Sequence, residues 1–265
     1  MNLRELLLLA CRSSLEGGIK IMQVYRTDFE IEFKNDSSPL TLADRSSHDA
    51  IVARLAESKY PIISEEGKED DYSTRKDYKR FWCVDPLDGT KEFVKKNGEF
   101  TVNIALIENN SPILGVIYIP VKDLLYASAE GLIFRIERAT EKFTGAKFNL
   151  TDFVIPVSTH SKTDNHTRIL ASRSHLTEDT KKYIRELESQ EQSIEFITAG
   201  SALKFCLLAE GNADIYPRFA PTMEWDTAAG HALLKAVGKN ILCYPSGEEL
   251  TYNKIKLVND WFIAH

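Results

Sequence analysis

Glu65-Glu66, Asp85-Pro86-Leu87-Asp88 and Trp225-Asp226 hold the acidic residues of this chain best placed to bind a cation. Asp85 precedes Pro86 and is pushed out of the helical region. Pro86 fixes its own φ near about −65°, and Gly89 tolerates positive φ, so the backbone must bend tightly between them. Such a bend brings two carboxylates and the Leu87 carbonyl toward one point. These are hard oxygen donors with no nitrogen or sulfur among them, a set that suits magnesium. Each residue also has a plainer reading. Asp-Pro and Asp-Gly make ordinary turns, and Glu65-Glu66 beside Lys68 reads equally as a solvated charge pair. Asp226 reads as an N-cap or first-turn acid favoured by a helix dipole, and Asp44 as part of a capping box.

The elements that must bring these acids together follow from periodicity. Leu3, Leu6, Leu7, Ala10, Ser14, Gly17, Ile21 and Val24 keep helical spacing and predict an amphipathic helix facing the core. A second helix is expected from Thr41, where Thr41-x-x-Asp44 resembles a capping box, to about Lys59 ahead of Pro61. Short strands at 62–64 and 81–84 both run into carboxylates, with a charge-rich, solvated loop between them at 67–79. Segments 101–107, 113–119, 124–129 and 132–136 predict an antiparallel meander. Beyond a weakly patterned stretch at 139–165, strands at 169–172, 194–198, 214–216 and 240–244 alternate with helices at 177–188, 201–210 and 226–237. That alternation predicts a largely parallel sheet. The expectation is an α/β protein with an α+β lobe at 1–150 and an α/β lobe at 151–265, with the site in the cleft between them.

Length and composition suit this plan. A chain of 265 residues forms one large domain or two lobes of about 100–150 residues. The net charge of −6, from 33 basic against 39 acidic residues, argues against a nucleic-acid or anionic-membrane surface. The cysteines at 11, 83, 206 and 243 form no C-x-x-C pair, so no disulfide framework or zinc site is expected and a reducing cytoplasm fits. The apolar run Leu6 to Cys11 is too short for a membrane span or a signal peptide. Membrane contact is expected to be at most peripheral, on the cytoplasmic face of the inner membrane.

Taken together, the motifs resemble the lithium-sensitive, magnesium-dependent phosphatases of the inositol monophosphatase superfamily. The carriers are Glu65-Glu66, then Asp85-Pro86-Leu87-Asp88-Gly89-Thr90, then Trp225-Asp226-Thr227-Ala228-Ala229-Gly230. Lys91-Glu92-Phe93, the run from Gly98 to Ile107, the run from Gly200 to Cys206, and Tyr216-Pro217-Arg218-Phe219 are similar to the CysQ-type 3′(2′),5′-bisphosphate nucleotidases within it. Ala202 departs from that pattern, where a second serine is common.

The resemblance implies a layered αβαβα sugar-phosphatase fold and hydrolysis of the 3′-phosphate of adenosine 3′,5′-bisphosphate to AMP, with 3′-phosphoadenylyl sulfate a second substrate, in sulfate assimilation. It implies two or more Mg²⁺ ions, one held by Glu65, Asp85 and the Leu87 carbonyl, the other by Asp85, Asp88 and Asp226. Thr90 and Asp44 would orient the attacking water with Glu66 close by, and no covalent intermediate would form. His175, Ser201, Lys204 and Arg218 would contact the nucleotide, alongside Glu65, Leu87, Asp88, Gly89, Thr90 and Asp226. The partner is thus a small nucleotide. Two cations, Lys204 and Arg218, are the groups suited to its second phosphate, and the Gly200-Ser201 step is expected to open a helix whose amides face an anion. The alternatives are an inositol or sugar phosphatase and a nucleotide-binding sensor without turnover.

Overall fold

The computed structural model describes residues 1–27, 31–33, 39–68, 70–144, 149–155, 166–171, 177–189 and 193–265, with the backbone alone at 31–33 and 39–41. The first half runs α1 (Leu3–Tyr25), β1 (Ile31–Phe33), β2 (Pro39–Thr41), α2 (Leu42–Leu55), β3 (Ile62–Ser64), α3 (Tyr72–Arg75), β4 (Arg80–Asp88) and α4 (Thr90–Val94). The meander β5 (Thr101–Glu108), β6 (Ser111–Ile119), β7 (Leu124–Ala129) and β8 (Leu132–Glu137) follows, then α5 (Ala139–Thr144). The second half comprises β9 (Thr167–Ala171), α6 (Glu178–Glu188), β10 (Ile194–Thr198), α7 (Leu203–Ala209), β11 (Tyr216–Arg218), α8 (Glu224–Ala236), β12 (Ile241–Cys243) and β13 (Phe262–Ala264).

Strands β3 to β8 form one six-stranded sheet in sequence order, with β3 parallel to β4 and the other neighbours antiparallel. Side chains alternate across it, so each strand feeds two cores. Trp82, Val84, Ile104 and Leu106 face α1 and α2, where Leu6, Leu7, Ala10 and Ile51 are buried. Phe81, Cys83, Ala105 and Ile107 face α7 and α8 and join a cluster that extends through Tyr216, Ile241 and Phe262 into the C-terminal strands. Tyr183 of α6 packs on Phe219 and Tyr244 on the outside of those strands. The layers are therefore helix, sheet, helix, sheet, helix, and one core cluster draws on both sides of residue 150.

Three expectations need correction. The C-terminal strands are not largely parallel: β9 and β10 pair in parallel, but β13 lies between β11 and β12 and runs antiparallel to both. The second helix stops at Leu55, because a 3₁₀ turn at Ala56–Ser58 leads to Lys59 in the left-handed region, with φ of 61°. The stretch 67–79 is not wholly solvated. Within it Arg75 is only 1% exposed and donates to the carbonyls of Lys254 and Ile255 and to Asn253 Oδ1, at 2.6, 2.7 and 2.9 Å. All four cysteines are free thiols. No helix among the described residues is long and apolar enough to cross a membrane, and the apolar face of α1 is buried against the sheet.

Candidate active site

The Asp85-Pro86-Leu87-Asp88 segment is a strand with a bulge, not a turn that ends a strand. β4 continues to Asp88, and its register against β5 shifts so that Asp85 opposes Asn103 and Asp88 opposes Thr101. In a regular strand, residues three apart point to opposite faces. The one extra residue on β4 cancels that difference and turns both carboxylates toward the α8 face, a re-aiming that β-bulges commonly perform. Leu87 meanwhile packs into the opposite core. Ser47 of α2 fixes the bulge from that side, donating to the Pro86 carbonyl at 2.8 Å, and the Leu87 amide donates to Asp85 Oδ1 at 3.1 Å. Gly89 follows at φ of 90°, a conformation costly for any residue with a Cβ, and lets Thr90 begin α4.

The other acids arrive from neighbouring elements. β3 runs parallel to β4 with Ser64 beside Val84, and the Glu65 amide donates to the Val84 carbonyl at 3.2 Å, so Glu65 and Glu66 leave the sheet next to Asp85. Asp44 is buried in the first turn of α2. Asp226 is the third residue of α8 and accepts from the Met223 amide at 2.8 Å. The first-turn reading of Asp226 is therefore correct, and it also aims the carboxylate at the sheet. The capping-box reading of Asp44 falls on the Thr41 side chain, which lies outside the described residues, and Thr41 belongs to β2.

Electrostatics tie these groups into one site. Burial first, then the charges of Glu65, Asp88, Asp226 and Asp44, push the Asp85 carboxyl well above the usual carboxylate range. Burial and the Asp88 charge raise Asp226 to about 8, against the pull of the Met223 amide. Among the described residues no three acids, histidines or cysteines close into a ready ligand cage. Asp85 and Asp226 nonetheless feel the charges of the neighbouring acids.

The cations stand on the C-terminal side. Lys204 is buried, and desolvation lowers it to about 8 although Asp88 pulls the other way. Its Nζ donates to the carbonyls of Ser201 and Ala199 at 2.6 and 3.3 Å and lies 5.4 Å from the Tyr216 ring centroid. Arg218 is half-buried; among the described residues its Nε has no hydrogen-bond partner, and Nη2 reaches the Pro221 carbonyl at 3.5 Å. Ser201 does not open a helix, contrary to expectation. It sits in the left-handed region at φ of 52°, the helix starts at Leu203, and the Ser201 hydroxyl lies 2.6 Å from Asp88 Oδ2. His175 lies outside the described residues. Lys91, Lys95 and Lys96 are exposed, the last two beyond the end of α4.

The chain matches the inositol monophosphatase family across residues 2–260. It belongs to that family. It is 42% identical over 236 residues to the 3′(2′),5′-bisphosphate nucleotidase CysQ of Escherichia coli (strain K12), covering 87% of each chain. With CysQ of Buchnera aphidicola it shares 37% identity over 268 residues, which is 98% of this chain and 94% of the relative. The crystal structure of CysQ from Bacteroides thetaiotaomicron superposes with a TM-score of 0.88 at 45% identity, covering 99% of this chain and 97% of that one. Inositol monophosphatase family enzymes are metal-dependent phosphatases, and the donor set here fits a hard divalent cation. Asp85 and Asp226 are buried, and the charges of neighbouring acids raise both above the usual carboxylate range, a repulsion that a bound cation would relieve.

Thr101 and Asn103 were not assigned any role from sequence. Both are buried on β5 beside Asp88. Two inward polar residues at alternate positions of an otherwise apolar strand are the signal that marks them.

Proposed function

We propose that this chain is a magnesium-dependent 3′(2′),5′-bisphosphate nucleotidase that hydrolyses the 3′-phosphate of adenosine 3′,5′-bisphosphate to AMP and phosphate. The observation that carries the reading is the pairing of two features: the bulge that turns Asp85 and Asp88 to one face with Asp226 opposite, and Arg218 nearby, a cation whose Nε has no partner among the described residues. Bound Mg²⁺ supplies charge neutralisation of the phosphoryl group and a water acidic enough to attack it near neutral pH.

Glu65, Asp85, Asp88, Asp226 and the Leu87 carbonyl are the groups that hold the metal. Thr90, at the start of α4, and the buried Asp44 suit the reacting water, since a hydroxyl that both donates and accepts relays a proton toward a carboxylate. Glu66 lies beside Glu65 at the same edge. No side-chain nucleophile is required. Arg218 offers a charge-assisted hydrogen bond to the second phosphate, the group an inositol monophosphate lacks. Lys204 adds positive field close to Asp88 while its ammonium stays tied to the Ser201 carbonyl. His175 is the further nucleotide contact this reading assigns, since the Ser201 hydroxyl donates to Asp88.

Phosphate release from adenosine 3′,5′-bisphosphate and from inositol 1-phosphate, each with Mg²⁺ and with a chelator, tests the proposal. Preference for the bisphosphate with strict dependence on Mg²⁺ is expected. Preference for the inositol ester would overturn the substrate, and chelator-resistant turnover would overturn the metal.

A further inference from the structure

Asp88 is held on one side only. Its Oδ2 accepts from the Ser201 hydroxyl at 2.6 Å and from Asn103 Nδ2 at 3.3 Å. Its backbone carbonyl accepts from the same serine at 3.2 Å. Oδ1 takes no hydrogen bond among the described residues. Behind this contact stands Thr101, fully buried, whose hydroxyl donates to Asn103 Oδ1 at 2.8 Å and lies 2.6 Å from Ser201 Oγ. The Thr101 donation decides which way the Asn103 amide faces: with Oδ1 occupied by a donor, the NH₂ group is the end turned to Asp88. The one Ser201 hydroxyl proton goes to the Asp88 carboxylate, which can only accept, so the Thr101 proton serves both Asn103 Oδ1 and Ser201 Oγ.

We propose that Thr101 and Asn103 are positioning residues for Asp88. With Ser201 they fix Oδ2 within the protein's own hydrogen bonds and leave Oδ1 as the oxygen presented to a divalent cation. Their place on β5 directly opposite the bulge makes this possible, since a cross-strand neighbour on the same face is the closest group the sheet can offer. Groups that orient a ligand in this manner commonly change metal affinity by about 10–100-fold when removed. The inference rests on Asp88 being a metal ligand.

Mn²⁺ is the probe, with binding followed through the electron paramagnetic resonance signal of the free ion. Thr101→Val keeps shape and removes the hydroxyl, and it should weaken Mn²⁺ binding about tenfold. Thr101→Ser should return the affinity to within about twofold of the parent, and KM for the nucleotide at saturating Mg²⁺ should move less than about twofold in either variant. Wild-type Mn²⁺ affinity in the valine variant, or a serine variant as weak as the valine one, overturns the proposal. If the valine variant does not melt cooperatively, Thr101→Cys replaces it, with similar volume and a weaker donor. Its affinity should fall between those of parent and Asp88→Asn, and parental affinity overturns the inference. Asp88→Asn separates the two levels: undiminished Mn²⁺ binding there shows that Asp88 is no ligand, whereas loss there with no change at Thr101 removes only the positioning role.

Discussion

Ser201 and Asp88, 113 residues apart in the chain, meet through a hydrogen bond of 2.6 Å that joins the segment before α7 to the bulge of β4. Ser201 makes this contact from a left-handed backbone conformation, which costs a residue with a side chain about 1–2 kcal/mol. Lys204 holds the serine there by donating to its carbonyl. The contact links the half of the molecule that carries Lys204 and Arg218 to the half that carries Asp85 and Asp88. It also explains why a serine whose position suggests nucleotide contact is spoken for by a carboxylate.

Asp88→Asn should abolish turnover without harming the fold. The substitution removes one charge from a group of mutually repelling acids and touches no apolar packing. Loss of a charged metal ligand is expected to lower kcat at least about 10³-fold, or about 4 kcal/mol of transition-state stabilisation. The melting temperature without metal should stay level or rise. Phosphate-release kinetics at saturating Mg²⁺, with calorimetric melting of the same sample, check both halves; activity within tenfold of the parent removes the metal role of Asp88.

Arg218→Ala should separate two kinds of substrate. A charge-assisted hydrogen bond contributes about 1.5–3 kcal/mol, so KM for adenosine 3′,5′-bisphosphate should rise at least about tenfold while that for adenosine 3′-monophosphate changes little. Equal changes for the two esters would show that Arg218 does not read the second phosphate. Lys204→Ala is the less clean probe. Its ammonium also fixes the Ser201 and Ala199 carbonyls, so it should lower kcat for both esters as well as raise KM for the bisphosphate.

The acids and their order along the chain were legible because proline and glycine leave local marks on the backbone. The same-face arrangement of Asp85 and Asp88 was not, because it depends on register against β5, and register is a property of two strands. Arg75 shows the same limit. Its neighbours in sequence are polar and solvated, while its hydrogen-bond partners lie about 180 residues further on. The parallel pattern expected at the C-terminus failed for a related reason: β13 comes last in the chain yet occupies the middle of its sheet.

Gly115→Ala should loosen the site from a distance. Gly115 lies on β6 under α8, and a Cβ there would stand 2.4 Å from the Ala229 carbonyl and 2.7 Å from the Ala232 Cβ. The carbonyl is backbone and cannot swing aside, so α8 must lift as a unit. Overpacking of this kind costs about 1–3 kcal/mol. Because α8 carries Asp226, the Mg²⁺ concentration for half-maximal activity should rise together with the fall in melting temperature. A variant less stable but with unchanged Mg²⁺ dependence would show that the height of α8 does not set the position of Asp226.

His231 should make the fold sensitive to acid. It is fully buried in α8, with Nε2 donating to Asn240 Oδ1 at 2.6 Å and Nδ1 3.0 Å from the Tyr252 hydroxyl. Burial lowers it to about 4, although Asn240 and Glu249 oppose the shift. An unfolded histidine titrates near about 6.5, so between these values the unfolded chain binds the proton and the folded one refuses it. The stability contributed by the neutral ring is present above pH of about 6.5 and is lost as pH falls through about 4. The loss is of the order of 3 kcal/mol. Urea unfolding at a series of pH values between 7 and 4 should show this decline. His231→Gln, which keeps a donor and an acceptor but does not titrate there, should be less stable at pH 7 and have a flatter profile. A variant whose profile parallels the parent's would assign the acid sensitivity to the carboxylates instead.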